Sequence, residues 1–317
     1  MHTNRAPTQT LSYPVPPTDG CADPSLTFFI LGPLHMNLGP RKLPRCTPRQ
    51  RIVLAALLLE RNRILSTERL IDALWPMDPP ATARAQVHIC VSALRRMLAD
   101  GTARERIHTV APGYLLEVPE GRVDLDVFNR LIAAARADRE RGQQVSAVSK
   151  LHSALRLWRG QPFTDVGSDV IQAAVVGLCD TRLSALEECM DLDLALGRHE
   201  AVAHAAAGLV TEHPLRERLR AQQILALYRS GRTADALAAY RRTRDDFVRE
   251  LGIEPGMRLR ELERAILNHD PALAPSVNPA HQKPHRRDVP ETVPKDHELS
   301  GRSPNQLNFG WGRPSSG

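Results

Sequence analysis

The chain has 317 residues, room for two domains, with 42 Lys and Arg against 36 Asp and Glu and a net charge of +6. Hydrophobic and charged fractions of 42% and 25% are those of an ordinary soluble, mostly helical protein and exclude collagen-like or wholly low-complexity chains. Cysteines 21, 46, 90, 179 and 189 form no CxxC and no paired spacing, which argues against a disulfide framework or a zinc site and for a reducing compartment. No apolar run approaches the ~18 residues of a membrane span. The N-terminus "MHTNRAPTQTLSYPVPPTDG" carries no signal-type apolar stretch, so a cytoplasmic protein without membrane contact is expected.

Residues 1–24 are Pro-, Thr- and Ser-rich and read as a disordered tail. "LTFFILGPLHMNL" (26–38) has β-type composition broken by Gly-Pro, which predicts a short hairpin or small sheet. "TPRQRIVLAALLLERN" follows as a helix, with Thr47 as N-cap and Pro48 at its first position. "STERLIDALWP" is a second helix, capped by Ser66 and stopped by Pro76 after Trp75. After the turn "MDPP" comes "TARAQVHICVSALRRML" (82–98). In it Val87, Val91, Leu94 and Leu98 form an apolar stripe, Arg84, His88, Ser92 and Arg95 run down a flank, and Arg96 points away. "RIHTVAPGYLLEV" (106–118) reads as strand, Pro-Gly turn, strand.

Strands, three helices and a hairpin make the order of a winged helix-turn-helix, and residues 25–118 are assigned to such a domain. Residues 26–118 hold 13 Lys and Arg against 7 Asp and Glu, whereas 119–270 are nearly balanced at 22 against 23. A local cationic excess points to a polyanion partner for that segment. The third helix would enter the major groove of double-stranded DNA. Arg84, Gln86, His88 and Ser92 are candidates for base edges or nearby phosphates, since Arg suits guanine O6/N7 and Gln suits adenine N6/N7. Arg95 and Arg96 are candidate phosphate contacts. Arg106 and His108 would lie on the wing near the minor groove. Gly113 belongs to the same hairpin, and Tyr114 either packs on the helix or faces the DNA backbone.

From about 125 to 268 the pattern is helix after helix. Gly197-Arg198 and Gly231-Arg232 recur 34 residues apart, the period of tetratricopeptide repeats, and residues 142–158 look like a degenerate earlier copy. Ala205 and Ala239 are expected where paired helices cross; an ordinary helical bundle is the alternative. The fold class is therefore mainly α with a small β component, a tetratricopeptide-like domain at 119–270 following the winged helix. Residues 271–317 hold eight prolines and read as a second disordered tail, in which His281 and His285 have ligand-like spacing without a core to hold them. No GxxxxGK[ST], GxSxG, HExxH or GxGxxG occurs, so neither an enzyme nor a cofactor is expected. A helical-repeat protein adaptor, with only non-specific nucleic-acid contact, remains open beside the DNA-binding reading.

"LIDALWP", "VSALRRML", "IHTVAPGYLL" and the long run 213–267 resemble the streptomycete antibiotic regulatory protein family, over roughly residues 26–270. The resemblance implies a response-regulator-type winged helix followed by a bacterial transcriptional activation domain. It also implies a homodimer on promoter direct repeats of antibiotic biosynthetic genes, and recruitment of RNA polymerase holoenzyme through the turn from Trp75 to Pro80, with Trp75, Met77 and Asp78 as contacts. The chain resembles the small type, without an NTPase domain or a preceding receiver domain, so phosphoaspartate switching within the chain is not expected. His88 stands where many members carry Gln, and Ala93 where Arg is common, so the bases read are expected to differ.

Overall fold

A computed structural model describes residues 26–44, 46–99 and 106–274; most of both tails, with His281 and His285, lies outside them. The expected hairpin is present: β1 (Leu26–Phe29) pairs antiparallel with β2 (His35–Leu38), and the short β3 (Arg41–Lys42) extends the sheet. Helix α1 (Pro48–Leu59) starts where Thr47 and Pro48 predicted, and the Gln50 side chain accepts a hydrogen bond from the Thr47 amide at 3.0 Å. Every residue from Ile52 to Leu58 is buried, which makes α1 the central helix of the first half. Helix α2 (Thr67–Leu74) is capped by the Ser66 hydroxyl, which accepts from the Arg69 amide at 3.2 Å. Helix α3 (Ala83–Ala99) completes the set.

Two strands escaped the sequence, β3 and one between the first two helices. Between α1 and α2, β4 (Ile64–Ser66) pairs with β6 (Gly113–Glu117), which pairs with β5 (Arg106–Val110) to give the order β4-β6-β5. Three residues carry no readable period, so only this pairing reveals them. Gly113 is required here, because a Cβ on it would sit 1.9 Å from the Leu65 carbonyl oxygen.

Among the described residues seven α-helices follow: α4 (Asp124–Glu140), α5 (Gln144–Leu155), α6 (Asp169–Ala195), α7 (His199–Glu212), α8 (Glu217–Arg229), α9 (Thr233–Leu251) and α10 (Met257–Leu267). The pairs α4/α5, α6/α7 and α8/α9 turn on the same device. Gly142, Gly197 and Gly231 are left-handed, and the next amide reaches back five residues, as from Arg198 to the Asp193 carbonyl at 2.9 Å and from Arg232 to Leu227 at 3.0 Å. Gln143 bonds Asp138 in the same way at 2.9 Å, so the degenerate copy at 142–158 shares the turn. Ala239 is buried as expected, but Ala205 is exposed and its neighbour Ala206 fills the crossing. A one-residue shift moves a side chain about 100° around a helix, enough to exchange the two. Buried Asp138 accepts from Ser146, Lys150 and Arg141, which fastens α5 to α4 and holds its carboxyl well below the usual range.

The winged half and the helical half share one core. A single apolar cluster runs from Leu26 through α1, α3, α4 and α5 onto α6 as far as Leu192, and a second begins at Leu183 of α6 and fills the space to α10. Polar ties reinforce the junction. The Ile30 and Leu31 amides donate to the buried Asp124 carboxylate at 2.9 and 3.1 Å, and Arg159 donates to it at 3.1 Å. Asp165 accepts from the Leu34 amide at 2.9 Å and pairs with Arg51 at 3.0 Å. The Ser168 hydroxyl, at the head of α6, donates to the Ala73 carbonyl near the end of α2 at 2.6 Å. His35 stacks on Phe29 with centroids 4.5 Å apart, and its Nδ1 lies 2.9 Å from Arg159 Nη1. Burial, then the Arg159 charge, lowers the His35 pKa from 6.5 to about 4.

Two outcomes follow for stability. Arg159→Ala leaves the Asp124 charge buried without its cation and should cost about 3–5 kcal/mol in thermal or urea unfolding. The unfolded chain protonates His35 near pH 6.5 and the folded chain only near pH 4, so this histidine's contribution is present above 6.5 and is lost as pH falls through that window. His35→Gln should flatten the slope of stability between those pH values, read as urea midpoints.

Candidate nucleic-acid interface

Helix α3 is anchored on one side and open on the other. Val87, Val91 and Leu94 are completely buried and Leu98 nearly so, packed over α1 and α2. At 100° per residue, Ala85, His88, Ile89, Ser92 and Arg96 fall together on the opposite arc. Ala85, His88 and Arg96 are exposed, Ser92 is half-buried, and Ile89 is 64% exposed. Ile89 was absent from the candidates read off the sequence. Its signal was there: it is the apolar residue of "VHICV" that falls off the 87/91/94/98 stripe, and it offers a methyl-bearing surface of the kind that meets a thymine methyl.

The flanking residues have internal partners. Arg84 pairs across to Glu68 of α2 at 2.5 Å, in an exposed bridge that a phosphate could replace at small cost. Gln86 is committed on both ends of its amide: it accepts from Arg49 at 2.6 Å and donates to the Thr82 hydroxyl at 2.9 Å. Arg49 in turn lies over the Trp75 ring, 5.4 Å from its centroid. The chain Trp75–Arg49–Gln86–Thr82 thus ties the N-terminal end of α3, and both ends of the Gln86 amide are engaged within the protein. Arg95, expected at phosphate, donates from Nε to the Ile107 carbonyl and from Nη2 to the Thr109 hydroxyl, both at 2.8 Å. It binds the wing to the helix instead. An arginine at the margin of the buried stripe reaches the neighbouring strand before it reaches solvent.

On the wing, β5 carries His108, which is half-buried and whose Nε2 lies 3.1 Å from Glu117 on β6. The Arg106 side chain lies outside the described residues. Two wing candidates turn inward. Tyr114 is 7% exposed with its ring in the core, and Gly113 is buried against β4, so neither belongs to the outer surface. Alternation along β6 sends Tyr114 to the core face, the choice that sequence alone had left open. In the turn after α2, Trp75 is half-buried beneath Arg49, while Met77 is 93% exposed and Asp78 is exposed beside it. Among the described residues no helix is long and apolar enough to cross a membrane.

Residues 41–116 match the family model described as transcriptional regulatory protein, C terminal, and residues 123–267 match the bacterial transcriptional activator domain. Regulatory protein AfsR of Streptomyces coelicolor is 40% identical over 251 residues, which cover 79% of this chain and 25% of that protein. Transcriptional regulatory protein EmbR of Mycobacterium tuberculosis is 38% identical over 249 residues, covering 78% of this chain and 64% of that one. Regulatory protein DnrI of Streptomyces peucetius is 35% identical over 252 residues, covering 77% and 93%. The chain therefore spans a quarter of AfsR and just under two thirds of EmbR. A solved structure of Mycobacterium tuberculosis EmbR, in complex with a low affinity phosphopeptide, superposes with a TM-score of 0.75 at 37% identity, over 78% of this chain and 66% of that one. With a winged-helix module joined to an activator domain and with relatives matched across both, this chain belongs to the streptomycete antibiotic regulatory protein family of transcriptional regulators.

Proposed function

We propose that the chain is a sequence-specific DNA-binding activator that reads promoter direct repeats of an antibiotic biosynthetic cluster as a dimer and recruits RNA polymerase holoenzyme. The outward arc of α3 carries this reading: Ala85, His88, Ile89, Ser92 and Arg96 combine a small residue for close approach, hydrogen-bonding groups, an apolar contact and a cation. Such a mixture suits base edges better than it suits bulk solvent, where an isoleucine on the exposed face gains nothing. Arg96 contacts phosphate and sets register. His88, Ser92 and Ile89 read bases. Arg84 exchanges Glu68 for a phosphate when DNA arrives. The wing, tied to α3 by Arg95, lies along the adjacent groove with His108.

The helical region from α4 to α10 serves in this reading as a tetratricopeptide-like surface for dimer or polymerase contact. Met77 and Asp78 form the projecting corner that meets polymerase, with Trp75 holding the corner from below. The cytoplasm is the compartment where such a protein acts.

A footprint of the full chain on DNA upstream of neighbouring biosynthetic genes tests the proposal. The expected result is protection of repeats one or two helical turns, ~10 or ~20 base pairs, apart. Binding with no preferred site, equally salt-sensitive on all DNA, would point instead to an adaptor with incidental nucleic-acid contact. Ile89→Ala should lower the ratio of specific to non-specific affinity by about fivefold or more while leaving random DNA unaffected. Arg96→Ala should weaken binding to every sequence and reduce the salt slope by about 0.9. Arg95→Ala should cost about 1–2 kcal/mol of folding stability and speed amide exchange in β5, since two hydrogen bonds to the wing are lost.

A further inference from the structure

The helical half contains a side-chain cluster that DNA binding does not use. Cys189 and Asp193 are four residues apart on α6 and so share one face of that helix. His152, near the end of α5, faces them from the neighbouring helix. One ligand atom from each residue lies within 4.8 Å of the other two. Residues 152 and 189 are far apart in the chain and neither belongs to a recognised ligand spacing, so only the packing of α5 on α6 brings them together.

Two of the three edges are close to those of a tetrahedral coordination shell. Bond lengths of about 2.0–2.1 Å to nitrogen and oxygen and about 2.3 Å to sulfur make the tetrahedral edges ~3.3 Å for N···O and ~3.5 Å for S···O. His152 Nε2 is 3.3 Å from Asp193 Oδ2, and Cys189 Sγ is 3.8 Å from the same oxygen. The remaining N···S edge closes by rotation of His152, whose side chain is 44% exposed and has room to move. Arg198 donates to the other Asp193 oxygen, Oδ1, at 2.8 Å. That bond orients the carboxylate and leaves Oδ2 turned towards the histidine and the thiol, the arrangement by which an outer partner positions a metal ligand.

The geometry points to a zinc-class divalent cation site formed by His152 Nε2, Cys189 Sγ and Asp193 Oδ2, with water in the fourth position on the solvent side of His152. A set of imidazole, thiolate and carboxylate selects a borderline-soft cation over magnesium or calcium, which take oxygen. Cys189 releases its thiol proton to solvent as the Sγ–metal bond forms. The bound ion cross-links α5 to α6 where the first core cluster gives way to the second.

Cobalt(II) is the probe, because a thiolate–cobalt charge-transfer band and tetrahedral visible bands report both the sulfur and the geometry. Full-length protein, stripped with chelator and kept reduced, is titrated with Co²⁺ and then with Zn²⁺ as competitor. The expected result is a one-to-one end point with the charge-transfer band, which zinc bleaches and Cys189→Ser abolishes. His152→Gln, at a half-exposed position that keeps the fold safe, should weaken affinity by more than the ~10-fold that loss of an outer-shell partner costs. Absence of the band, or a band unchanged in either variant, would overturn the site, because the sulfur would then be another cysteine or the metal would rest on histidines elsewhere.

Discussion

A buried carboxylate joins the two halves of this molecule. Asp124, at the first turn of α4, receives the amides of Ile30 and Leu31 from the loop after β1 and a guanidinium from Arg159 beyond α5. Those amides have lost their strand partners, so the carboxylate supplies acceptors that the sheet cannot, while Arg159 balances its charge. Three segments remote in sequence meet at one anion. Around it Asp165 repeats the arrangement on a smaller scale, joining the Leu34 amide to Arg51 of the central helix α1. Ser168 then ties the head of α6 to the end of α2.

The consequence for function is mechanical. Helix α3 rests on α1 and α2, and both of those are bonded to the segment leading into α6. The outward arc of α3 is therefore positioned by the whole assembly, with no loose linker between the winged half and the helical half. The same economy governs the charges of α3. Arg95 holds the wing, Gln86 holds Arg49, and Arg84 rests on Glu68, so few groups on the helix are unspoken for, and selectivity falls to short or apolar side chains such as Ser92 and Ile89. A surface with few long flexible cations loses less side-chain entropy on docking.

Much of the architecture was legible because it rests on local chemistry. Thr47-Pro48, Ser66 and Pro76 mark helix ends through groups that act within one turn, and the 87/91/94/98 stripe reports burial through the helical period alone. The Gly-Arg pairs at 197 and 231 announced a repeat through their spacing, and the structure shows that each glycine serves a left-handed turn and adds Gly142 to the set. What failed was whatever needed a partner. Three residues of β4 became a strand only beside β6; Gly113, a surface candidate, is buried against that strand, and Tyr114, left open between helix and DNA backbone, takes the core.

The sequence by itself determined the three helices of the first module with their caps and the proline stop, that helices alone follow, that cationic excess lies in the first third, and that two modules follow one another; each of these depends on neighbours a few residues away. Only the tertiary structure decided which of the polar groups on α3 are available. Arg95, Gln86 and Arg84 read alike in one dimension, yet their fates depend on Ile107, Arg49 and Glu68, placed by other elements. The meeting of His152 with Cys189 and Asp193 is of the same kind. Periodicity records the face on which a residue lies, and only packing brings the second face that gives it something to bind.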